Sequence, residues 1–127
     1  MPNYLGVAGL KSARRANIAL YNSDLIIAIG TRLATSVIGF EYDKFAPNAK
    51  IFVVDIDQIE HSKKTRSAMS FVCSDAYLFL NALSSCYAPT SSHPDKSSWL
   101  NKCCKLKELL PVQEQFSPDG FVSIYDV

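Results

Sequence analysis

Short continuous apolar runs, separated by polar segments, dominate the first 86 residues. Residues 25–29 (LIIAI) and 51–54 (IFVV) are such runs, and they are typical of strands covered on both faces of a parallel sheet. The segment between them, residues 30–50, is long enough for the crossover that parallel neighbours require. Residues 71–73 (FVC) predict a third, shorter strand.

Two helical patterns flank these runs. In the first, which Ser12 is expected to cap, the residues that share one face are Ala13, Ala16, Asn17 and Leu20. In the second, Ser74 and Asp75 are expected to cap a helix whose apolar positions fall within residues 76–83. Strands that alternate with helices predict an α/β fold with a parallel sheet flanked by helices.

The number of strands is small for the length of the chain. Two clear strands, or four if the weaker candidates are counted, leave a parallel sheet with exposed edges, and a chain of 127 residues is expected to bury more than that. We therefore expect an incomplete domain, either a piece of a larger protein or a chain that completes its sheet through a partner.

The composition changes after Cys86. Residues 88–94 are rich in serine and proline and predict a linker. Ser98 is then expected to cap a short helix that Pro111 ends, with apolar positions at Trp99, Leu100, Cys103, Leu106 and Leu110. The predicted organisation is one unit over residues 1–86, followed by a linker with a short helix over residues 87–127.

Composition and charge exclude several classes of function. The chain has 48% hydrophobic and 20% charged residues, with 13 basic against 12 acidic side chains and a net charge of +1. This balance argues against global disorder and against a polybasic surface for nucleic acid. Neither a membrane-spanning run nor a secretory signal is recognisable, so we expect a soluble, cytoplasmic chain with four reduced cysteines.

The candidate chemistry lies where the two apolar runs end, because ligands of open α/β sheets bind at the carboxyl ends of the strands. Gly30, Thr31 and Arg32 follow the first run and could approach and hold a phosphate. Asp55 and Asp57 follow the second and could accept from ribose hydroxyls or an adenine amine. The alternatives remain open: a turn at Gly30, a surface ion pair at Arg32, and a helix cap at Asp55.

The other motifs carry less information. Gly6 and Gly9 could form a third wall of a nucleotide site, although they lack the context of a dinucleotide fingerprint. Glu60 and His61, close to Lys63 and Lys64, are expected to lie on an exposed charged face. The sequence has no G-x-S-x-G elbow, and we assign it no catalytic residue and no metal ligand.

Three segments in register resemble one family. They are GVAG…RAN…SDLIIAIGTRL at residues 6–33, G…FAPNAK at residues 39–50, and VDID…E at residues 54–60. Their order and spacing resemble the second half of the central domain of thiamine-diphosphate-dependent enzymes of the acetolactate synthase type, with some features of the branch associated with polysaccharide biosynthesis. The resemblance covers residues 1–85 well and continues more weakly towards residues 123–125.

The resemblance implies a Rossmann-like sheet that in some members binds FAD or another adenine nucleotide. The matching contacts would come from residues 16–32, Asn17 among them, from Asp55, and from the region of Asp75. The sequence departs from the flavin-binding pattern at residues 34–37 (ATSV) and at Lys11 and Ser12. These departures argue against a flavin and leave an empty pocket, ADP or CoA as alternatives.

The resemblance also implies what the chain lacks. In this family a glutamate from an N-terminal domain activates thiamine diphosphate, and a Gly-Asp-Gly motif with a later Asn in a C-terminal domain holds Mg²⁺ and the diphosphate. Pro118-Asp119-Gly120 is not that motif. We expect a fragment of a homodimeric or homotetrameric 2-oxo acid decarboxylase or carboligase whose partners are its missing domains. The alternatives are a free-standing adenine-nucleotide-binding module and a purely structural module.

Overall fold

A computed structural model describes residues 3–62, 69–87 and 97–111 of the chain. Its elements in chain order are α1 (Arg14–Tyr21), β1 (Leu25–Ile29), α2 (Thr35–Ile38), a 3₁₀ turn (Tyr42–Lys44), β2 (Lys50–Asp55), α3 (Gln58–His61), β3 (Met69–Cys73), α4 (Ala76–Cys86) and α5 (Ser97–Leu109). The predicted linker at residues 88–94, Lys63, Lys64 and the segment 118–120 lie outside the described residues.

The three strands form one parallel sheet in the order β1-β2-β3. Ile26 lies opposite Ile51 in the register of β1 and β2, and Val53 lies opposite Phe71 in that of β2 and β3. The prediction of a partial, Rossmann-like α/β fold is confirmed, including the third short strand. Because both pairs are parallel, the carboxyl ends of all three strands meet at one edge of the sheet.

The core lies on one face of the sheet. Ile26 and Ala28 of β1 and Ile51 and Val53 of β2 pack there against Ala46 and Ala49 of the preceding loop. Partly buried side chains complete this layer, namely Leu20, Leu33, Phe45 and Met69. The alternation of side chains along a strand places Val54 on the opposite face, where it is fully buried.

The opposite face of the sheet is covered only in part. Leu25, Ile27 and Phe52 lie on it and keep 50%, 43% and 38% of their surface exposed. The expectation of strands covered on both faces is therefore wrong for this part of the sheet. An apolar run shows that a strand can be buried on both faces, but whether it is buried depends on neighbours elsewhere in the chain.

Of the three helices for which the sequence predicts a side-chain cap, only one has the predicted cap in the structure. Asp75 caps α4 as expected, since its Oδ1 accepts from the backbone N–H of Tyr77 and of Leu78 at 2.9 and 3.1 Å. At α1 the cap position is Ala13 and no side chain caps it, so the expectation for Ser12 is wrong. The helix α5 begins at Ser97, two residues before the first position that a cap at Ser98 would allow, so the expectation for Ser98 is wrong.

Candidate functional site

The carboxyl ends of β1 and β2 lie side by side. The backbone N–H of Gly30 donates to the carbonyl oxygen of Val54 at 2.9 Å, which extends the ladder between the strands by one bond. Gly30 then turns the chain with a φ of +60°, in the left-handed region that glycine adopts without strain. Gly30 and Asp55 therefore open onto the same edge of the sheet, as the sequence predicted.

A narrow crevice lies below this edge. Thr31, Arg32, Asp55 and Glu60 line it together with apolar side chains, namely Leu33, Val53, Met69 and Phe71. Its volume is about 20 Å³, which is close to the space of a single water molecule. The crevice thus brings together three of the predicted site residues, but as it stands it has no room for a nucleotide base.

Arg32 and Glu60 face each other across the crevice. The Arg32 Nε lies 3.8 Å from the Glu60 Oε1, and the Arg32 side chain is 72% exposed whereas that of Glu60 is 12% exposed. The alternative of an ion pair at Arg32 is therefore present in the structure. The expectation that Glu60 lies on an exposed face is wrong, because α3 turns this carboxylate towards the strand ends.

The carboxylates of Asp55 and Asp57 accept hydrogen bonds from backbone N–H groups in the turn after β2. The Asp55 Oδ1 accepts from the backbone N–H of Asp57, and the Asp57 Oδ1 accepts from the backbone N–H of Ile59, both at 2.9 Å. Asp57, not Asp55, is the cap of α3. Each carboxylate has further lone pairs, so these bonds do not prevent a contact with a ligand.

Gly6, Gly9 and Asn17 do not line this crevice. The Asn17 side chain accepts from the backbone N–H of Gly9 at 2.8 Å and donates to the carbonyl oxygen of Gly9 at 2.9 Å. The adjacent Leu10 N–H donates to the carbonyl oxygen of Ser36 at 2.8 Å. These bonds hold the N-terminal loop against α1 and the start of α2. The structure therefore shows that Gly9 and Asn17 stabilise the N-terminal loop.

Replacement of Asn17 tests that role. We expect Asn17→Ala to lower the free energy of unfolding by about 1–2 kcal/mol, because it removes two hydrogen bonds and leaves the polar groups of Gly9 without their partner. Chemical denaturation followed by circular dichroism measures the change. Asn22→Ala is the matched control, since Asn22 makes one exposed bond to Ile18. An equal loss in both variants would contradict the assignment.

The described residues show neither a metal-binding cluster nor a membrane-spanning helix. Within residues 3–62, 69–87 and 97–111, no group of three or more His, Cys, Asp or Glu side chains is placed to hold a metal ion. The helices in those same ranges include none with the length and apolar character needed to cross a membrane. All four cysteines are free.

Comparison with protein families identifies the fold. The family model described as the central domain of thiamine pyrophosphate enzymes matches residues 1–83 of the chain. The chain belongs to this family. The match spans α1, the whole parallel sheet and most of α4, and it confirms the resemblance stated from the three sequence segments.

Relatives of this central domain include acetolactate synthase subunits. The large subunit of Cyanidium caldarium is 34% identical over 114 residues, which cover 87% of the chain and 19% of that protein. A probable large subunit of Methanocaldococcus jannaschii is 34% identical over 108 residues, or 85% of the chain and 18% of the relative. The isozyme 1 large subunit of Escherichia coli is 42% identical over 62 residues. The chain spans about a fifth of the length of such relatives.

The crevice at the strand ends does not fit the cofactors of the family. Thiamine diphosphate binds through a divalent cation, and Mg²⁺ prefers oxygen ligands that include carboxylates. Residues 3–62, 69–87 and 97–111 offer no cluster of that kind. The crevice of about 20 Å³ likewise does not accommodate an adenine nucleotide or a flavin.

Proposed function

We propose that the chain forms part of the central domain of a thiamine-diphosphate-dependent enzyme that decarboxylates a 2-oxo acid or joins the product to an acceptor. The observation that carries this proposal is the family match over residues 1–83, together with relatives that are acetolactate synthase subunits. The whole enzyme would use thiamine diphosphate with Mg²⁺, and it would be a cytoplasmic homodimer or homotetramer.

We propose further that residues 1–86 contribute to the scaffold and not to the reacting groups. The helix α4 ends at Cys86, which supports a boundary at that position. Residues 87–127 would then connect this unit to a C-terminal cofactor domain. The partners of the segment would be the N- and C-terminal domains of the same enzyme, which would supply the activating glutamate and the Mg²⁺ ligands.

The geometry of the crevice favours a structural role over nucleotide binding. Gly30 would allow close approach, since a Cβ added there meets no atom within 4 Å. Beneath it, however, the space is narrow, and Arg32 and Glu60 face each other across it. An adenine nucleotide would have to lie outside the crevice, over Gly30 and beside the guanidinium of Arg32. A free-standing nucleotide-binding module remains the second candidate on the ground of this open edge.

Calorimetric titration of the 127-residue chain tests the role of the segment. Thiamine diphosphate with Mg²⁺ is expected to give no saturable heat, and ADP or FAD up to millimolar concentration is expected to give none either. A saturable heat with ADP that Arg32→Met abolishes would establish the nucleotide-binding module in place of the scaffold. A saturable heat of binding with thiamine diphosphate would contradict the proposal that other domains of the enzyme bind this cofactor.

The gene sequence on both sides of the 127 codons that encode this chain tests the proposed enzyme function. We expect a glutamate-containing thiamine-activating domain upstream and a Gly-Asp-Gly motif with a later Asn downstream. The enzyme encoded by the complete frame should release CO₂ from pyruvate only when thiamine diphosphate and Mg²⁺ are present. A frame that lacks both domains, or an enzyme that is inactive with 2-oxo acids, would exclude the assignment.

A further inference from the structure

The strand β1 forms an outer edge of the parallel sheet. In the described part of the chain β1 pairs with β2 alone, because the strand order is β1-β2-β3. Its sequence, LIIAI, contains no charged residue and no proline. Exposed sheet edges commonly carry such residues, because they hinder pairing with another chain. The edge of β1 therefore lacks a usual protection against the addition of a further strand.

The ladder between β1 and β2 shows which backbone groups face this edge. The carbonyl oxygen of Asp24 accepts from the N–H of Lys50 at 2.8 Å. The N–H of Gly30 donates to the carbonyl oxygen of Val54 at 2.9 Å. Because bonding to one neighbour alternates along a strand, the even-numbered residues of β1 bond to β2. The residues that direct their N–H and C=O groups outwards are Leu25, Ile27 and Ile29.

These outward groups make no hydrogen bond within the described ranges of the chain. Apolar side chains lie beside them, since Leu25 and Ile27 are exposed on the sheet face that also carries the exposed Phe52 of β2. A strand added to β1 would pair the backbone groups and cover part of this apolar surface. Hydrogen bonding and apolar burial therefore both favour such an addition.

We propose that β1 of one protomer pairs with β1 of a second copy of this chain, in antiparallel orientation and with Ile27 on the two-fold axis. Ile27 then lies opposite the partner's Ile27, and Leu25 lies opposite the partner's Ile29. Hydrogen-bonded pairs recur at every second position of an antiparallel ladder, so all the outward groups of both strands are paired. The dimer is closed, because each copy contributes the same edge.

The charges next to β1 favour the antiparallel orientation. Asp24 precedes the strand and Arg32 follows it, and both side chains are exposed. Antiparallel pairing places the carboxylate of one protomer at the same end as the guanidinium of its partner, whereas parallel pairing would bring like charges together. A second copy thus supplies a strand of equal length, matching apolar positions and complementary charge. The proposal does not depend on the proposed thiamine-dependent function, because it involves no cofactor.

Sedimentation equilibrium of the complete 127-residue chain tests this pairing. We expect a reversible equilibrium between monomer and dimer with a Kd below about 1 mM, weak because two five-residue strands form a small interface. A chain that stays monomeric at about 1 mM would overturn the proposal. Species that grow beyond a dimer as the concentration rises would overturn it as well, since they require a second surface on each copy.

Ile27→Lys changes the residue on the proposed two-fold axis. It should weaken dimerisation at least roughly tenfold, because two ammonium groups would face each other across the axis. Ile59→Lys is the matched control, since it introduces the same charge on α3, at a side chain that is 76% exposed. The control should keep the Kd within about twofold of the unaltered chain. Equal weakening in both variants would trace the effect to net charge and contradict the proposal.

Ile27→Pro tests the backbone pairing without a change in charge. Proline removes an N–H that faces outwards, while the bonds from the even-numbered residues to β2 remain. We expect the far-ultraviolet circular dichroism of the folded chain together with dimerisation at least roughly tenfold weaker. A folded variant that dimerises as well as the unaltered chain would show that the copies associate through another surface.

Amide hydrogen exchange of the unaltered chain gives an answer that requires no variant to fold. The outward N–H groups of Leu25, Ile27 and Ile29 should exchange more slowly as the protein concentration rises, when measured residue by residue by NMR. The N–H groups of Ile26 and Ala28, which bond to β2 in the monomer, should change less. No concentration dependence, or the same change at all five residues, would exclude pairing through the edge of β1.

Discussion

Ile51→Ala is expected to lower the free energy of unfolding by about 2–5 kcal/mol. Ile51 is 1% exposed on the central strand β2, where it lies between Ile26 of β1 and Met69 of β3 in the strand register. Removal of its outer carbons leaves a cavity that the parallel ladder on both sides prevents from closing. Since small domains are stable by only about 5–15 kcal/mol, this loss is a large share of the total.

Urea denaturation followed by far-ultraviolet circular dichroism measures this effect, and the midpoint should fall by about 1 M or more. Ile59→Ala is the matched control, because it removes the same atoms from a side chain that is 76% exposed on α3. The control should change stability by no more than about 0.5 kcal/mol. Similar losses in the two variants would show that Ile51 is not part of a well-packed core.

Gly9→Ala is expected to cost about 2–4 kcal/mol for two separate reasons. Gly9 has a φ of +132°, which side-chain-bearing residues rarely adopt, and a Cβ added there would lie 2.5 Å from the carbonyl oxygen of Ser36. That oxygen accepts the backbone hydrogen bond from Leu10, so the loop has to move and the bond has to lengthen. The same denaturation experiment gives the loss.

Gly30→Ala separates the two causes. Gly30 also has a positive φ, at +60°, but an added Cβ meets nothing within 4 Å. We expect this control to cost about 1 kcal/mol, which is the strain of the left-handed conformation alone. A loss for Gly9→Ala no greater than that of the control would mean that the contact with Ser36 is absent in solution.

The strands were predictable from the sequence because their signal is local. A short apolar run rich in β-branched residues that ends at Gly30, or in a pair of aspartates after Val54, indicates a strand from its length and its flanking residues. The neighbours of the strands were not predictable to the same degree. Whether Ile27 and Phe52 are covered depends on residues far away in the chain. The apolar run itself does not show which of those residues pack against the strand.

The edge of the candidate site was predictable for the same reason, whereas its interior was not. Parallel strands bring Gly30 and Asp55 together, and the apolar runs were sufficient to infer this. Glu60 was missed because α3 has only four residues and shows no periodicity that would indicate which side chain faces the sheet. Gly9 was taken as a candidate ligand contact, but its close neighbour Ser36 is distant in sequence and could not be anticipated.

The ladder between the strands is made of backbone groups, while the segments at residues 31–34 and 56–57 follow the strand ends. Substitutions in these segments change the side chains exposed at this edge of the sheet without removing a backbone hydrogen bond between the strands. The side chains at this edge can therefore differ from one member of the family to another while the strands keep their register.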